Sequence, residues 1–215
     1  MDFIKKNITK IKEKGLIKTI TMMYRIPFFF FYKYLFMSCK RIYVSGEFQI
    51  RGKKYIQIGS FSAGSRIRID AIKSFGVQLF NPHIKVGDNV IGNNDIHIAC
   101  TGNITIGNKV LFASNIYLTD HDHGIYSNFS NLPISSPGEQ PSYRLLTEGG
   151  SISIGDNVFI GEYVTILKNV KIGEGCIIGA HSLVSKNIPP FSIASGNPAK
   201  VIKKYNFDSC KWEKC

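Results

Sequence analysis

From Ile154 onward an aliphatic residue returns at every sixth position: Ile154, Ile160, Ile166, Ile172, Ile178 and Val184. Gly follows four of these six, and a second row four residues further on holds Val158, Val164, Val170, Cys176, Ser182 and Ile188. An amphipathic helix repeats at about 3.6 residues and a half-buried strand at about 2, so neither produces this period. A chain folded into flat faces of six residues, three faces to a turn, does produce it. The aliphatic residue then points into a narrow triangular core. The small residue after it turns a corner where a side chain would clash, and Gly is expected to supply the backbone conformation needed there. Successive coils pair as parallel strands, which stacks one β-branched residue on the next.

Weaker copies of the pattern come earlier. Ile106-Gly107, Phe112-Ala113 and Leu118-Thr119 are six apart, Val86-Gly87 and Ile91-Gly92 are five apart, and Ile58-Gly59 reads as an early turn. The pattern predicts an all-β chain, a parallel β-helix of hexapeptide repeats over residues 46–205 with irregular first coils. The repeat class implies left-handed coiling, although parallel crossovers are ordinarily right-handed. Between Leu118 and Ile154 the repeat stops for 36 residues, six hexads, so the coil resumes in phase. Residues 119–151, rich in Ser, Pro, Gly and Asn, are read as a protruding loop, and loops this long within a compact domain are usually functional or disordered. Residues 1–45 are read as an N-terminal helical segment and residues 206–215 as a tail.

Charge separates these parts. Residues 1–54 hold 13 Lys/Arg against 3 Asp/Glu, a net +10, and the other 161 residues carry only +2 of the total +12. A nearly neutral body with a basic arm argues against nucleic acid and for an anionic membrane leaflet as the arm's partner. Ile26 to Met37, IPFFFFYKYLFM, is too short to span a bilayer. It suits either a cover over the end of the core or an interfacial segment. Five scattered cysteines without CxxC spacing, and no signal peptide, fit free thiols in a cytoplasmic protein, peripheral on the inner membrane face.

Candidate chemistry opens the loop: Thr119-Asp120-His121-Asp122-His123-Gly124. Two histidines flanked by carboxylates at the edge of a rigid scaffold suit a general base with an orienting acid, or a metal site. His83, His97, His121 and His123 are the candidates for zinc if the chain were instead a γ-type carbonic anhydrase-like enzyme.

The stretch IGDNVFIGEYVTILKNVKIGEGCIIGAHSLVSKNIPPFSIASGNPAKVIKK, with the His-Asp loop, resembles the C-terminal half of the hexapeptide acetyltransferases. It is most similar to their maltose/galactoside and colanic-acid-type branch, which O-acetylates sugars and bacterial polysaccharides. The resemblance covers about residues 84–204. It implies acetyl-CoA as co-substrate, no metal, a saccharide acceptor and direct transfer in a ternary complex, with a loop histidine as base. The match favours His121, while spacing from the preceding coil allows His123. By the same resemblance, the backbone N–H of Gly161 or Glu162 donates to the oxyanion, and Asn93 or Asn94, with Phe159, faces the acceptor. Relatives often carry Trp at Phe159 and a small residue at Glu162. Pantetheine is expected near Gly161 and Ala180, with Ser185, Lys186, Lys200 and Lys203 toward the adenosine phosphates. An N-acetyltransferase acting on an amino-sugar nucleotide is the alternative with the same fold and base. One prism offers only shallow faces, so a homotrimer with the cofactor between prisms is expected.

Overall fold

A computed structural model of the chain describes residues 41–126 and 132–215. The basic, aromatic segment before residue 41, with its expected helix and membrane contact, lies outside the described residues. From Arg41 the chain winds into a left-handed parallel β-helix with three faces. Face A stacks Arg41–Val44, Ser60–Ala63, Val90–Gly92, Leu111–Phe112, Phe159–Ile160, Ile177–Ile178 and Ser192–Ser195. Face B stacks Phe48–Arg51, Ile67–Ala71, Ile96–Cys100, Ile116–Thr119, Thr165–Ile166 and Leu183–Val184. Face C stacks Ile56–Ile58, His83–Val86, Asn103–Ile106, Ser151–Ile154 and Val170–Ile172. The chain visits the faces in the order A, B, C, once per coil.

Both rows of the repeat are buried. Ile160, Ile166, Ile178 and Val184 are fully enclosed, as are Val158, Val164 and Cys176 of the second row. Each buried aliphatic side chain contributes roughly 1.5–3 kcal/mol relative to exposure. Ser182 is buried without cost in unmet hydrogen bonds, because its hydroxyl donates to the Gly179 carbonyl (2.6 Å) and accepts from the Gly196 N–H (3.1 Å).

The corners correct one expectation. The Gly after each aliphatic residue is required for space rather than for an unusual φ. A Cβ on Gly161 would lie 2.7 Å from the Ala180 nitrogen of the next coil. The left-handed conformation falls two residues later, at Asn157, Tyr163, Asn169 and His181. The coils are close-stacked at the first corner residue, and the chain reverses at the third.

Boundaries also shift. The first strand begins at Arg41, ahead of the expected start at 46, because Arg41–Val44 pairs in register with Ser60–Ala63. Residues 206–215 are not a loose tail. Lys200–Asn206 runs antiparallel to Ser192–Ser195, and Lys211–Lys214 folds back on it. Tyr205 packs edge-on against Phe207 (5.0 Å) and Trp212 (5.2 Å), and Phe191 against Phe207 (5.0 Å). This hairpin covers the open edge of face A and leaves a lysine-bearing edge in its place, which discourages further strand pairing.

Two excursions leave the corner between faces B and C. One is the long loop, between Ile116–Thr119 and Ser151–Ile154. The other, unforeseen in sequence, is a small hairpin of Ser74–Phe75 and Gln78–Leu79 turning at Gly76. They emerge two coils apart, roughly 10 Å, so they meet alongside the coil between them.

Candidate active site

The site grows from the end of Ile116–Thr119. The Thr119 hydroxyl donates to the His121 carbonyl (2.8 Å), a local turn that directs the chain off face B. Asp120 is thereby folded under the neighbouring corner and fully buried. One carboxylate oxygen accepts from the Thr101 N–H (2.8 Å) and hydroxyl (3.1 Å), and the other from the Gly102 N–H (2.8 Å). Burial opposes the ionised form, but bonds from His121, Thr101, Gly102 and Cys100 outweigh it and hold the carboxyl below its usual range.

His121 Nδ1 lies 3.0 Å from the same Asp120 oxygen that Thr101 meets. A carboxylate only accepts, so Nδ1 carries the proton and Nε2 keeps its lone pair. His121 is 7% exposed. His123 is exposed, its ring 6.5 Å from that of His121 and edge-on to Phe75 at 5.2 Å. Its backbone bridges Leu146, so it serves the loop's own pairing. Of the two histidines, only His121 has a carboxylate holding its ring.

The loop is clamped on three sides. The Gln78 amide of the hairpin donates to the Leu146 carbonyl (2.9 Å) and accepts from the Leu146 N–H (2.7 Å). Asp122 pairs with Lys168 of the next coil at 2.6 Å. The Arg144 guanidinium donates to the Glu139 carbonyl (3.0 Å) and the Tyr126 hydroxyl (3.3 Å). Gln78 and Phe75 were missed in the sequence, where the only signals were a Gly and a break in the hexads between Ala71 and His83.

Cys100 lies against this acid. Burial and the Asp120 charge push its thiol pKa upward, so it stays protonated and is a poor nucleophile. Among the described residues, no three or more His, Cys, Asp or Glu side chains come together to hold a metal ion. His83 is exposed on face C, and His97 on face B is bonded to Asp70 at 3.2 Å.

The other predicted positions divide between corners. Asn93 and Gly161 sit in one column at the corner between faces A and B, Ala180 follows Gly179 of that column and lies level with Glu162, and Lys200 stands beside Ser195 at the column's end. Asn93 is exposed, whereas the Asn94 side chain accepts from the Ser65 N–H (2.8 Å) and serves the corner itself. The Gly161 N–H donates to the Ile178 carbonyl (2.8 Å), so it is spent in the coil ladder. No partner takes the Glu162 N–H among the described residues, so of the two expected oxyanion donors only Glu162 is available. Ser185 and Lys186 follow Leu183–Val184 at the next corner, and Lys203 pairs with Ile193 on face A. His121 and Glu162 therefore lie at different corners, one face apart, roughly 17–20 Å for a strand of this length.

Comparison with known proteins bears on the family and the fold. A sequence model described as bacterial transferase hexapeptide (six repeats) matches residues 151–186. WbbJ of Escherichia coli, named as a candidate O-acetyl transferase of lipopolysaccharide biosynthesis, is 40% identical over 166 residues, which are 77% of this chain and 80% of WbbJ.

The chain belongs to the hexapeptide-repeat acetyltransferases.

The galactoside O-acetyltransferase of Escherichia coli is 35% identical to this acetyltransferase over 127 residues, 59% of this chain and 57% of that protein. The crystal structure of a maltose O-acetyltransferase from Clostridium difficile superposes with a TM-score of 0.51 at 29% identity, covering 77% of this acetyltransferase and 67% of that chain.

Proposed function

We propose that this acetyltransferase moves the acetyl group of acetyl-CoA to a sugar hydroxyl of a bacterial surface polysaccharide or its precursor. The observation that carries the reading is the buried Asp120–His121 pair, in which the acid fixes the ring and leaves Nε2 as a base. The acceptor hydroxyl gives its proton to Nε2 as its oxygen attacks the thioester carbonyl. The oxyanion then gains the Glu162 N–H, a dipole fixed before reaction. Collapse breaks the C–S bond, and the proton on His121 passes to the departing thiolate. The protonated Cys100 argues against an acyl-enzyme on that residue and supports direct transfer. Turnover of acetyl-CoA against a panel of neutral, acidic and amino sugars, with mass spectrometry of products, tests the reading. No acetylated saccharide from any acceptor would reject it.

Because His121 and Glu162 occupy different corners, one prism does not assemble this site; a second copy placing its A–B corner against the loop does. The outer side of face A supports such packing. Ser62, Ile91, Leu111, Phe159, Ile177 and Ile193 align in register across six coils. Ile91 (50% exposed), Leu111 (40%) and Phe159 (39%) form a contiguous exposed apolar stripe, the kind of surface that marks an interface between copies. A homotrimer is expected, and sedimentation equilibrium giving a monomer at assay concentration would exclude it.

The cofactor is proposed to run along the corner past Gly161 and Ala180, its phosphates toward Lys200, Lys203 and a neighbour's Ser185 and Lys186. Phosphate contacts remote from the reacting bond act about equally in ground and transition states. Lys186→Ala and Lys200→Ala are each expected to raise the KM for acetyl-CoA about tenfold, the loss of one charge-assisted hydrogen bond. A fall in kcat at saturating acetyl-CoA would contradict that placement.

The membrane proposal rests on the sequence, the net +10 of residues 1–54 beside the aromatic run Phe28 to Tyr34, and no helix among the described residues is long and apolar enough to cross a membrane. Full-length protein is expected to float with anionic vesicles at low salt and to be released at high salt. Protein remaining at the bottom of the gradient in low salt would refute it.

A further inference from the structure

Beside the base, face B carries a charged cluster that the catalytic reading does not use. Asp70 is buried, its side chain 3% exposed. One oxygen accepts from Arg68 Nε at 2.5 Å and lies 3.2 Å from His97 Nε2. The other oxygen has no hydrogen bond; Arg51 Nε approaches it only to 3.7 Å. His97 in turn lies against the Tyr117 ring, centroids 5.1 Å apart.

Register fixes where this cluster stands. Arg51, Asp70, Ala99 and Thr119 are in line across four adjacent strands, as are Arg68, His97 and Tyr117. Thr119 is two residues before His121. At about 4.8 Å per strand, Asp70 lies roughly 10 Å from Thr119 at the start of the His121 turn, with Ala99 between them and His97 and Tyr117 on the adjoining row. The same surface that receives the acceptor hydroxyl therefore continues into the arginines.

The charges select a class of ligand. Asp70 holds Arg68 through Nε, and the terminal nitrogens of that half-exposed guanidinium have no hydrogen-bond partner among the described residues. Burial, then the Arg68 charge, keep the His97 pKa below its usual value despite Asp70. Two guanidinium groups against one carboxylate and a neutral imidazole leave the cluster net positive. Guanidinium suits carboxylate and phosphate, and an exposed Tyr suits the face of a sugar ring.

We propose that this part of face B is an acceptor subsite for an anionic saccharide, whose carboxylate or phosphate is held by Arg68 and Arg51 while its ring packs on Tyr117. Asp70 is the positioning residue beneath it. An anion drawing Arg51 inward also closes the gap to the orphaned Asp70 oxygen. The inference rests on the acceptor being a sugar, as proposed above.

The test is direct binding, measured calorimetrically on the full-length protein, with transfer assayed separately. The probes are methyl glucuronide, glucose 1-phosphate and neutral methyl glucoside. At least one acidic probe is expected to bind tenfold or more tighter than the neutral one, and which one identifies the anion. Arg68→Gln is expected to abolish that difference without changing the KM for acetyl-CoA or the affinity for methyl glucoside. Arg68→Lys retains part of it. Arg51→Gln, at a more exposed side chain, reduces the preference and serves if the Arg68 variants do not fold. Equal affinity for acidic and neutral probes, or an unchanged preference in these variants, overturns the subsite even if sugars are acetylated. Anion binding lost in Arg68→Gln with no acetyl transfer to any sugar leaves the subsite standing and rejects the transferase reading.

Discussion

Replacing His121 by Ala is expected to lower kcat by ~10²–10⁴, the usual contribution of a general base, with little change in the KM for acetyl-CoA. The ring is the only loop imidazole, among the described residues, with a carboxylate on Nδ1, so of the loop's side chains it is the one poised to take the acceptor proton. His123→Ala is expected to be mild, because that ring is exposed and packs on Phe75. Steady-state kinetics on both variants decide the matter. A crippled His123→Ala beside a nearly normal His121→Ala would move the base to His123, and near-normal rates in both would end the general-base mechanism.

Asp120→Asn is the second large effect, and it falls on both rate and stability. An amide offers one acceptor where the carboxylate offers two. Whichever way it turns, its NH₂ faces the buried N–H of Gly102 or those of Thr101 and His121. One or more buried donors then lack a partner, at a cost of about 1–3 kcal/mol. The imidazole also loses the charge that fixes its tautomer and stabilises it when protonated, and kcat is expected to fall about 10²-fold, the lower end of a general base's contribution. The two effects separate with pH. The folded-state pKa of Asp120 lies below the unfolded value. Its stabilisation is complete above the ordinary Asp value of about 3.9 and is lost as pH falls through the lowered folded value. Acid unfolding followed by circular dichroism should show this loss in the native protein and a flatter profile in Asp120→Asn. A variant with native stability and native kcat would show that the acid is incidental.

The two excursions also explain each other. Gln78 grips both backbone groups of Leu146, and Leu146 bridges His123. The loop that carries His121 is thus held by an element 68 residues earlier in the chain. Gly150 closes the other end; a Cβ there would run into the Asp120 carbonyl. Loops carry function best when a rigid scaffold positions them, and here the scaffold is one corner of the prism used twice.

What the sequence determined by itself was everything that repeats. A period of six is a local property, written in Ile154, Ile160, Ile166 and their successors, and each hexad specifies its own face regardless of what stacks above it. The loop was legible as the place where that period fails, and Asp120-His121 because acid and base are adjacent in the chain. Tertiary structure decided what depends on stacking between coils. The contrast between His121 and His123 depends on Thr101 and Gly102, which fix Asp120 beside His121 from a different coil. Of Gly161 and Glu162, the two expected oxyanion donors, the next coil takes the N–H of Gly161. The terminal residues became a hairpin because the last coil leaves an open edge. Asp70, His97 and Arg68 are scattered in sequence and meet only through strand register. A hydrogen bond between neighbours in sequence can be read along the chain, whereas one across strands exists only once the register that aligns them has formed.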